Sequence, residues 1–250
     1  MDAPFGKICG DECYGIYYFK ELESTNDTAQ KPNYKHKDII VSDAQTKGRG
    51  QGGNTWTSEP GKNLIFSMVI EPDGLPASRQ FLLSEIISLA ITDTLGSYNI
   101  KASIKWPNDI YIRDKKVAGI LIENEVQAGE TTRSIIGVGL NVNQTEFDNE
   151  LAHATSMSIT AKREFNRNKV LTRLCNYFSL RSEQLAAGNT KQIEEEYFSR
   201  LYLANTPHTF KLPDGTRFRG TIRSVNENGE LNIETHNGSI RTFLFKEVAF

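Results

Sequence analysis

Apolar residues recur along this chain with two periods, two and about 3.6, and the switches between them mark the elements. Residues 14–20 (YGIYYFK) are aromatic-rich and predict a strand. Glu23-Ser24-Thr25-Asn26-Asp27 follows, with N-cap residue types leading into a short helix over 26–31. Residues 39–42 (IIVS) and 64–70 (LIFSMVI) predict buried strands on either side of a glycine-rich loop. Leu82, Leu83, Ile86, Ala90, Ile91 and Thr94 keep the helical period, which predicts a helix over 76–95. Residues 101–106 predict a strand that stops at Pro107. A three-strand meander is expected over 109–113, 115–126 and 132–142, and two helices over 167–187 and 190–204.

From residue 206 the pattern changes. Short alternating segments are punctuated by Asp214-Gly215, Asn228-Gly229 and Asn237-Gly238, which are strong hairpin signals. They predict a small five-stranded barrel. The expected organisation is therefore an α/β (α+β) domain over 1–203, a central mixed sheet with flanking helices, and a small β-barrel domain over 204–250.

Composition narrows the function classes. The chain has 250 residues, enough for one large core and a smaller unit. Its formal net charge of −2 supplies no global field toward nucleic acid or anionic lipid, so no DNA or membrane partner is expected. No apolar run approaches the eighteen or so residues of a membrane span, and the first residues lack the pattern of a signal peptide. Cys9, Cys13 and Cys175 have no zinc-like spacing and are expected to be reduced thiols in a cytoplasmic protein.

The loop between the strands at 39–42 and 64–70 holds five glycines from Gly48 to Gly61. Gly48-Arg49-Gly50-Gln51-Gly52-Gly53 matches the dinucleotide pattern G-x-G-x-x-G in letters. That fold needs a helix directly afterwards, and here Asn54 to Gly61 is turn-rich and leads into a strand. The P-loop pattern fails as well, because Asn54-Thr55 stands where Lys-Ser or Lys-Thr belongs. What remains is a mobile, cation-bearing loop. Glycine N–H groups can approach an anion, Arg49 presents a charged fork, and Trp56 offers a flat face.

Five ordered blocks carry a resemblance. They are Glu23-Ser24-Thr25-Asn26; Gln45-x2-Gly48-Arg49-Gly50 with Trp56; Lys105-Trp106-Pro107-Asn108-Asp109; Lys116-Val117-Ala118-Gly119-Ile120-Leu121; and Gly137-Val138-Gly139-Leu140-Asn141. With them the chain resembles biotin–protein ligases, also called biotin–acetyl-CoA-carboxylase ligases. The resemblance implies a class II synthetase-like catalytic domain and an SH3-like C-terminal barrel. It implies activation of biotin by ATP and Mg²⁺ to biotinyl-5′-AMP, then transfer to one lysine on a carrier domain of a biotin-dependent carboxylase or decarboxylase. The first expected strand starts by residue 14, so the N-terminal DNA-binding module of many bacterial members is not expected, and the monofunctional type is. Family members often form a homodimer through sheet edges, and the sequence leaves the oligomeric state open.

The resemblance also distributes roles. Lys116 would contact the biotin carboxylate and the α-phosphate, with Arg49 and Asp109 completing the catalytic group. Biotin would meet Ser24, Thr25, Asn26, Gln45, Gly48, Arg49 and Lys116 over Gly119, Gly137 and Gly139. Hydroxyls and amides suit the small, neutral ureido ring. The adenylate would meet Arg49, Gly50, Gln51, Trp56, Asn108, Lys116 and Asn141, with Mg²⁺ at Asp109. Trp106 reads as core. One departure stands out: many members have arginine where this chain has Gln51, so either Lys47 compensates or the loop closes less tightly. Two other readings are a non-catalytic sensor of biotin or its adenylate, favoured by Gln51, and a lipoate-type ligase, disfavoured because its loop and histidine motifs are absent.

Overall fold

A computed structural model gives the fold and describes residues 6–9, 13–148, 151 and 153–250. Eight strands form one mixed sheet in the order β1-β2-β3-β4-β8-β7-β6-β5. They are β1 (Gly6–Cys9), β2 (Cys13–Leu22), β3 (Asp38–Gln45), β4 (Leu64–Ile70), β5 (Ser103–Lys105), β6 (Asp109–Ile112), β7 (Lys115–Gln127) and β8 (Glu130–Leu140). Only β2 and β3 run parallel; the other neighbours are antiparallel. The predicted meander is β6, β7 and β8.

The helices are α1 (Thr25–Ala29), α2 (Phe81–Gly96), α3 (Met157–Ala161), α4 (Arg167–Ala186) and α5 (Thr190–Ser199). Ser24 caps α1 by accepting the Asp27 N–H. The helix expected over 76–95 divides into a 3-10 turn, Ala77–Arg79, and α2. That expected over 190–204 stops at Ser199. Two elements were not anticipated: β1, and α3, which Ser156 caps from its N-terminus and which Lys162 ends in the left-handed region.

The pleat sorts the side chains. Ile39 and Val41 on β3, Phe66, Met68 and Ile70 on β4, and Ile136, Val138 and Leu140 on β8 all enter the main core with α2 and α4. Their alternates face the other way. Ile40, Val69 and Ile135 pack with Ala29 of α1 and Tyr34 in a smaller cluster. Arg181 of α4 donates to Asp93 of α2 and pairs with Glu196 of α5, which ties the three helices together.

The C-terminal sheet has four strands, β9 (His208–Lys211), β10 (Arg217–Val225), β11 (Leu231–Thr235) and β12 (Ile240–Phe243), in antiparallel order β12-β11-β10-β9. The five-stranded expectation is corrected. A turn over 244–247 interrupts the extension, and the chain returns to β9 through a single bridge, Lys211 to Ala249. The hydrophobic cluster runs across residue 204, since Phe210, Ile222, Leu231 and Phe243 belong to the same core as α2. Trp106 is buried, as expected, and donates from Nε1 to the Gly229 carbonyl at 2.8 Å.

Cys175 is a free, buried thiol, and burial pushes its pKa up to about 12. Cys13 is disulfide-bonded, which corrects the reduced-thiol expectation there. Among the described residues no helix is long and apolar enough to cross a membrane.

Glu85 on α2 is 4% exposed, and one of its carboxylate oxygens has no hydrogen-bond partner among the described residues. Burial, helped by Glu194, raises its pKa from 4.5 to about 8. The folded chain thus keeps a proton that the unfolded chain releases. Stability is expected to fall as pH rises from about 4.5 to about 8 and to level off above that. Urea midpoints measured across this range should show the decline in the wild-type chain and a flatter profile in Glu85→Gln.

Candidate functional site

On the face opposite the main core, β7 and β8 carry almost no side chains at one place. Gly119 on β7 pairs with Gly139 on β8, and Leu121 pairs with Gly137. Ser67 and Ile65 continue the same face onto β4. This bare patch floors a cleft of ≈ 290 Å³. The glycines cannot be replaced freely. A Cβ at Gly137 would collide with the Asn26 amide, and one at Gly139 with the Trp56 indole.

One end of the cleft is polar and buried. Ser24, Thr25 and Asn26 are each less than 5% exposed. The Gln45 carbonyl oxygen accepts from the Thr25 N–H at 2.7 Å and the Thr25 hydroxyl at 3.0 Å. Ser67 donates to the Thr25 hydroxyl or to Asn26 Oδ1, at 2.8 and 2.6 Å. Asn26 in turn donates to the Leu121 carbonyl and to Glu123. Hydroxyls and amides held this way present both donors and acceptors to a small neutral ring.

The other end is cationic. Lys116, at the start of β7, turns inward and pairs with Asp109 at 2.6 Å. Its ammonium lies 5.8 Å from the centre of the Trp56 ring. Lys105 also lines the cleft; burial lowers its pKa, and it donates to the Tyr111 hydroxyl at 3.2 Å. Asn108 lines the wall and gives its amide to the Ile120 carbonyl at 2.6 Å.

Between the two ends hangs the glycine loop. It folds as a tight excursion: Gly50 N–H donates to the Asn54 carbonyl, Trp56 N–H to the Gly48 carbonyl, and Gln51–Gly53 forms a 3-10 turn. No helix follows it, as the sequence indicated. Arg49 leans across the cleft onto two carboxylates. It meets Glu123 with both terminal nitrogens, at 2.9 and 2.7 Å, and Asp27 at 2.6 Å. The bond to Glu123 is the main reason its pKa is raised further.

The structure brings most of the predicted residues together. Ser24, Thr25, Asn26, Gln45, Arg49, Gly50, Gln51, Trp56, Asn108, Asp109, Lys116, Gly119, Gly137 and Gly139 all line this one cleft. Two expectations are corrected. Asn141 is buried away from the cleft, where its amide donates to the Thr155 carbonyl. Gly48 sits at the neck of the loop rather than in the cleft, where a Cβ would strike the Trp56 carbonyl. Lys47, left open by the sequence, does not line the cleft and pairs with Glu23 at 3.0 Å on the surface. Trp56 lies on the glycine floor itself, and its buried Nε1 has no hydrogen-bond partner among the described residues.

Sequence reasoning missed several residues here. Lys105 stood inside a quoted motif without a role. Glu123 has no role in the sequence reading and Asp27 only that of a helix-start residue, and only alternation along β7 could have placed Glu123 on the cleft face. Lys246 and Phe250 reach the cleft from the C-terminal unit, and no local signal marks them.

Comparisons with known proteins agree with this geometry. The profile of the biotin/lipoate A/B protein ligase family matches residues 18–141. The bifunctional ligase/repressor BirA of Bacillus subtilis is 30% identical over 230 residues, covering 89% of this chain and 70% of its own. The biotin–acetyl-CoA-carboxylase ligase of Mycobacterium tuberculosis is 27% identical over 202 residues, covering 78% of this chain and 73% of its own. Among solved structures, the biotin protein ligase of Aquifex aeolicus in complex with biotin and ATP superposes with a TM-score of 0.79 at 28% identity, over 94% of this chain and 97% of that one. Sequence, fold and cleft together identify this chain as a member of the biotin/lipoate protein ligase family.

The packing of Trp56 on Gly139 can be tested without any ligand. Gly139 does not have a left-handed backbone, so an added methyl leaves the strand unstrained. Gly139→Ala is expected to displace the indole toward water. Tryptophan emission should shift to the red while far-ultraviolet circular dichroism stays unchanged.

Proposed function

We propose that this chain activates biotin with ATP and transfers it to a lysine on a carrier domain of a biotin-dependent carboxylase or decarboxylase. In the first step a biotin carboxylate oxygen attacks the α-phosphorus, giving biotinyl-5′-AMP and releasing pyrophosphate. In the second the acceptor amine attacks the biotinyl carbonyl, loses its proton, and AMP leaves. The observation that carries this reading is the cleft itself: a buried amide-and-hydroxyl end and a lysine end joined by a glycine floor, with Arg49 on the loop between them.

Each group has a task in that scheme. Ser24, Thr25, Asn26 and Gln45 hold the ureido ring. The glycine floor lets the ring and its chain lie against the sheet. Lys116 sits where carboxylate and phosphate meet and offsets the repulsion between two anions. Arg49 takes the phosphate once it leaves Glu123 and Asp27. Gly50, Gln51, Trp56 and Asn108 line the adenylate side. Asp109 lines the cleft beside Lys116, and a carboxylate beside a polyphosphate is a usual setting for Mg²⁺. Asp109 would hold the ion, which would supply positive charge against the polyphosphate. A lipoate-type or sensor role predicts different behaviour in one assay. Pyrophosphate exchange that depends on biotin, and not on lipoate, supports the proposal; exchange with lipoate, or none, overturns it.

Lys116→Ala is expected to lower biotin-dependent pyrophosphate exchange by about a hundredfold or more. Labelled biotin should reach a purified carrier domain with the wild-type chain and not with this variant. The loop gives a second test. Trypsin should cut at Arg49 in the free protein and be slowed when biotin and ATP are both present, because the bound intermediate orders the loop. Equal cleavage under both conditions would count against loop closure.

A further inference from the structure

One face of β8 follows α1 from end to end. Arg133, Ile135, Gly137 and Gly139 alternate along the strand and share the face toward the cleft. Gly137 lies under Asn26, where a Cβ would meet the amide. Ile135 packs with Ala29 and Tyr34. Arg133 comes next and meets the carbonyl end of the helix. Its Nη2 donates to the Ala29 carbonyl at 2.9 Å, the Tyr34 carbonyl at 3.2 Å and the Lys31 carbonyl at 3.4 Å. Its Nη1 donates to the Gln30 carbonyl at 3.1 Å. The Glu125 carboxylate, itself largely exposed, lies 3.6 Å from the same nitrogen, and the Arg133 side chain is only 14% exposed.

A helix of five residues does not hold itself together. Isolated helices shorter than about 12 residues are marginal in water. The N-terminal end of α1 is fixed by the Ser24 cap, by Gln45 on the Thr25 N–H and hydroxyl, and by Ser67. The other end presents carbonyls that lack helical partners and carry partial negative charge. Neither Gln30 nor Lys31 takes a left-handed backbone, so the usual backbone closure of a helix end is absent. Arg133 supplies the donors instead, its planar fork spanning four carbonyls at once. The two ends of α1 are one turn apart. Thr28 N–H donates to the Ser24 carbonyl and Gln30 N–H to the Asn26 carbonyl. A shift at the carbonyl end therefore passes straight to the residues that line the cleft.

We propose that Arg133 is a positioning residue for biotin: it closes the carbonyl end of α1 and so sets Ser24, Thr25 and Asn26 toward the ureido ring. The inference rests on the proposed ligase reading. Arg133 does not itself line the cleft and acts through the helix.

The test uses the full chain as wild type, Arg133→Ala and Arg133→Lys. The Kd for biotin, measured by calorimetry, should rise about tenfold in Arg133→Ala. It should rise about threefold in Arg133→Lys, whose ammonium reaches fewer carbonyls and which reads the same effect if the alanine variant does not fold. In pyrophosphate exchange at saturating biotin, kcat and the KM for ATP should match the wild type. A merely structural role would lower the active fraction, and so kcat, with the biotin Kd unchanged; that result overturns the proposal. An equal loss of affinity for ATP also overturns it. Hydrogen exchange gives a readout that needs no ligand. The Thr28 and Gln30 amides should exchange faster in Arg133→Ala while those of β4 keep their protection. If the wild-type chain shows no biotin-dependent pyrophosphate exchange, the ligase reading fails separately. The hydrogen-exchange comparison then decides the role of Arg133 alone: faster exchange upholds its hold on α1, and equal protection overturns it.

Discussion

Everything in this site depends on three positions where a strand carries no side chain. Gly119, Gly137 and Gly139 meet across β7 and β8, while the residues between them on the other face, Ala118, Ile120 and Val138, are buried in the main core. A glycine inside a strand weakens it by about 0.5–1 kcal/mol relative to alanine. The sheet tolerates three because its core face remains fully packed. A flat, bare floor in the middle of a stable sheet is the result, and Trp56, Asn26 and any bound ring must use it.

The second constraint is electrostatic. A site for a polyanion gathers cations, and gathered cations repel one another. Here Asp109 holds Lys116, while Glu123 and Asp27 hold Arg49. These carboxylates let the free protein keep its cations close together and aimed. They also mean that ligand binding is an exchange of partners rather than the filling of an empty field. Asp109 therefore has two tasks in the proposed scheme, positioning Lys116 in the free protein and meeting a metal–nucleotide complex afterwards.

The fold was largely legible because period and punctuation agreed. Continuous apolar runs at 39–42 and 64–70 marked buried strands, though not their faces, and the turn residues marked hairpins near Gly215, Gly229 and Gly238. The candidate site was legible where its residues cluster in short blocks, as with Ser24 to Asn26 or Lys105 to Asp109. It failed where the decision is made by distant chain. Lys47 and Lys246 are both exposed lysines in turns by sequence, and only the docking of the C-terminal unit tells which one enters the cleft. Asn141 follows a glycine-bearing strand that does line the site, but it lies one residue beyond the end of β8 and bonds to Thr155. Four- and five-residue elements such as β1 and α3 carry too few positions for a period to show.

The double grip on Arg49 has a consequence for what this cleft will accept. A molecule that matches the floor in outline but bears no negative charge has nothing to offer the guanidinium in place of Glu123 and Asp27. It can lie on the glycines with the arginine left where it was, and the loop has no reason to follow. Recognition is thereby split: outline decides what may enter, and charge decides what is enclosed.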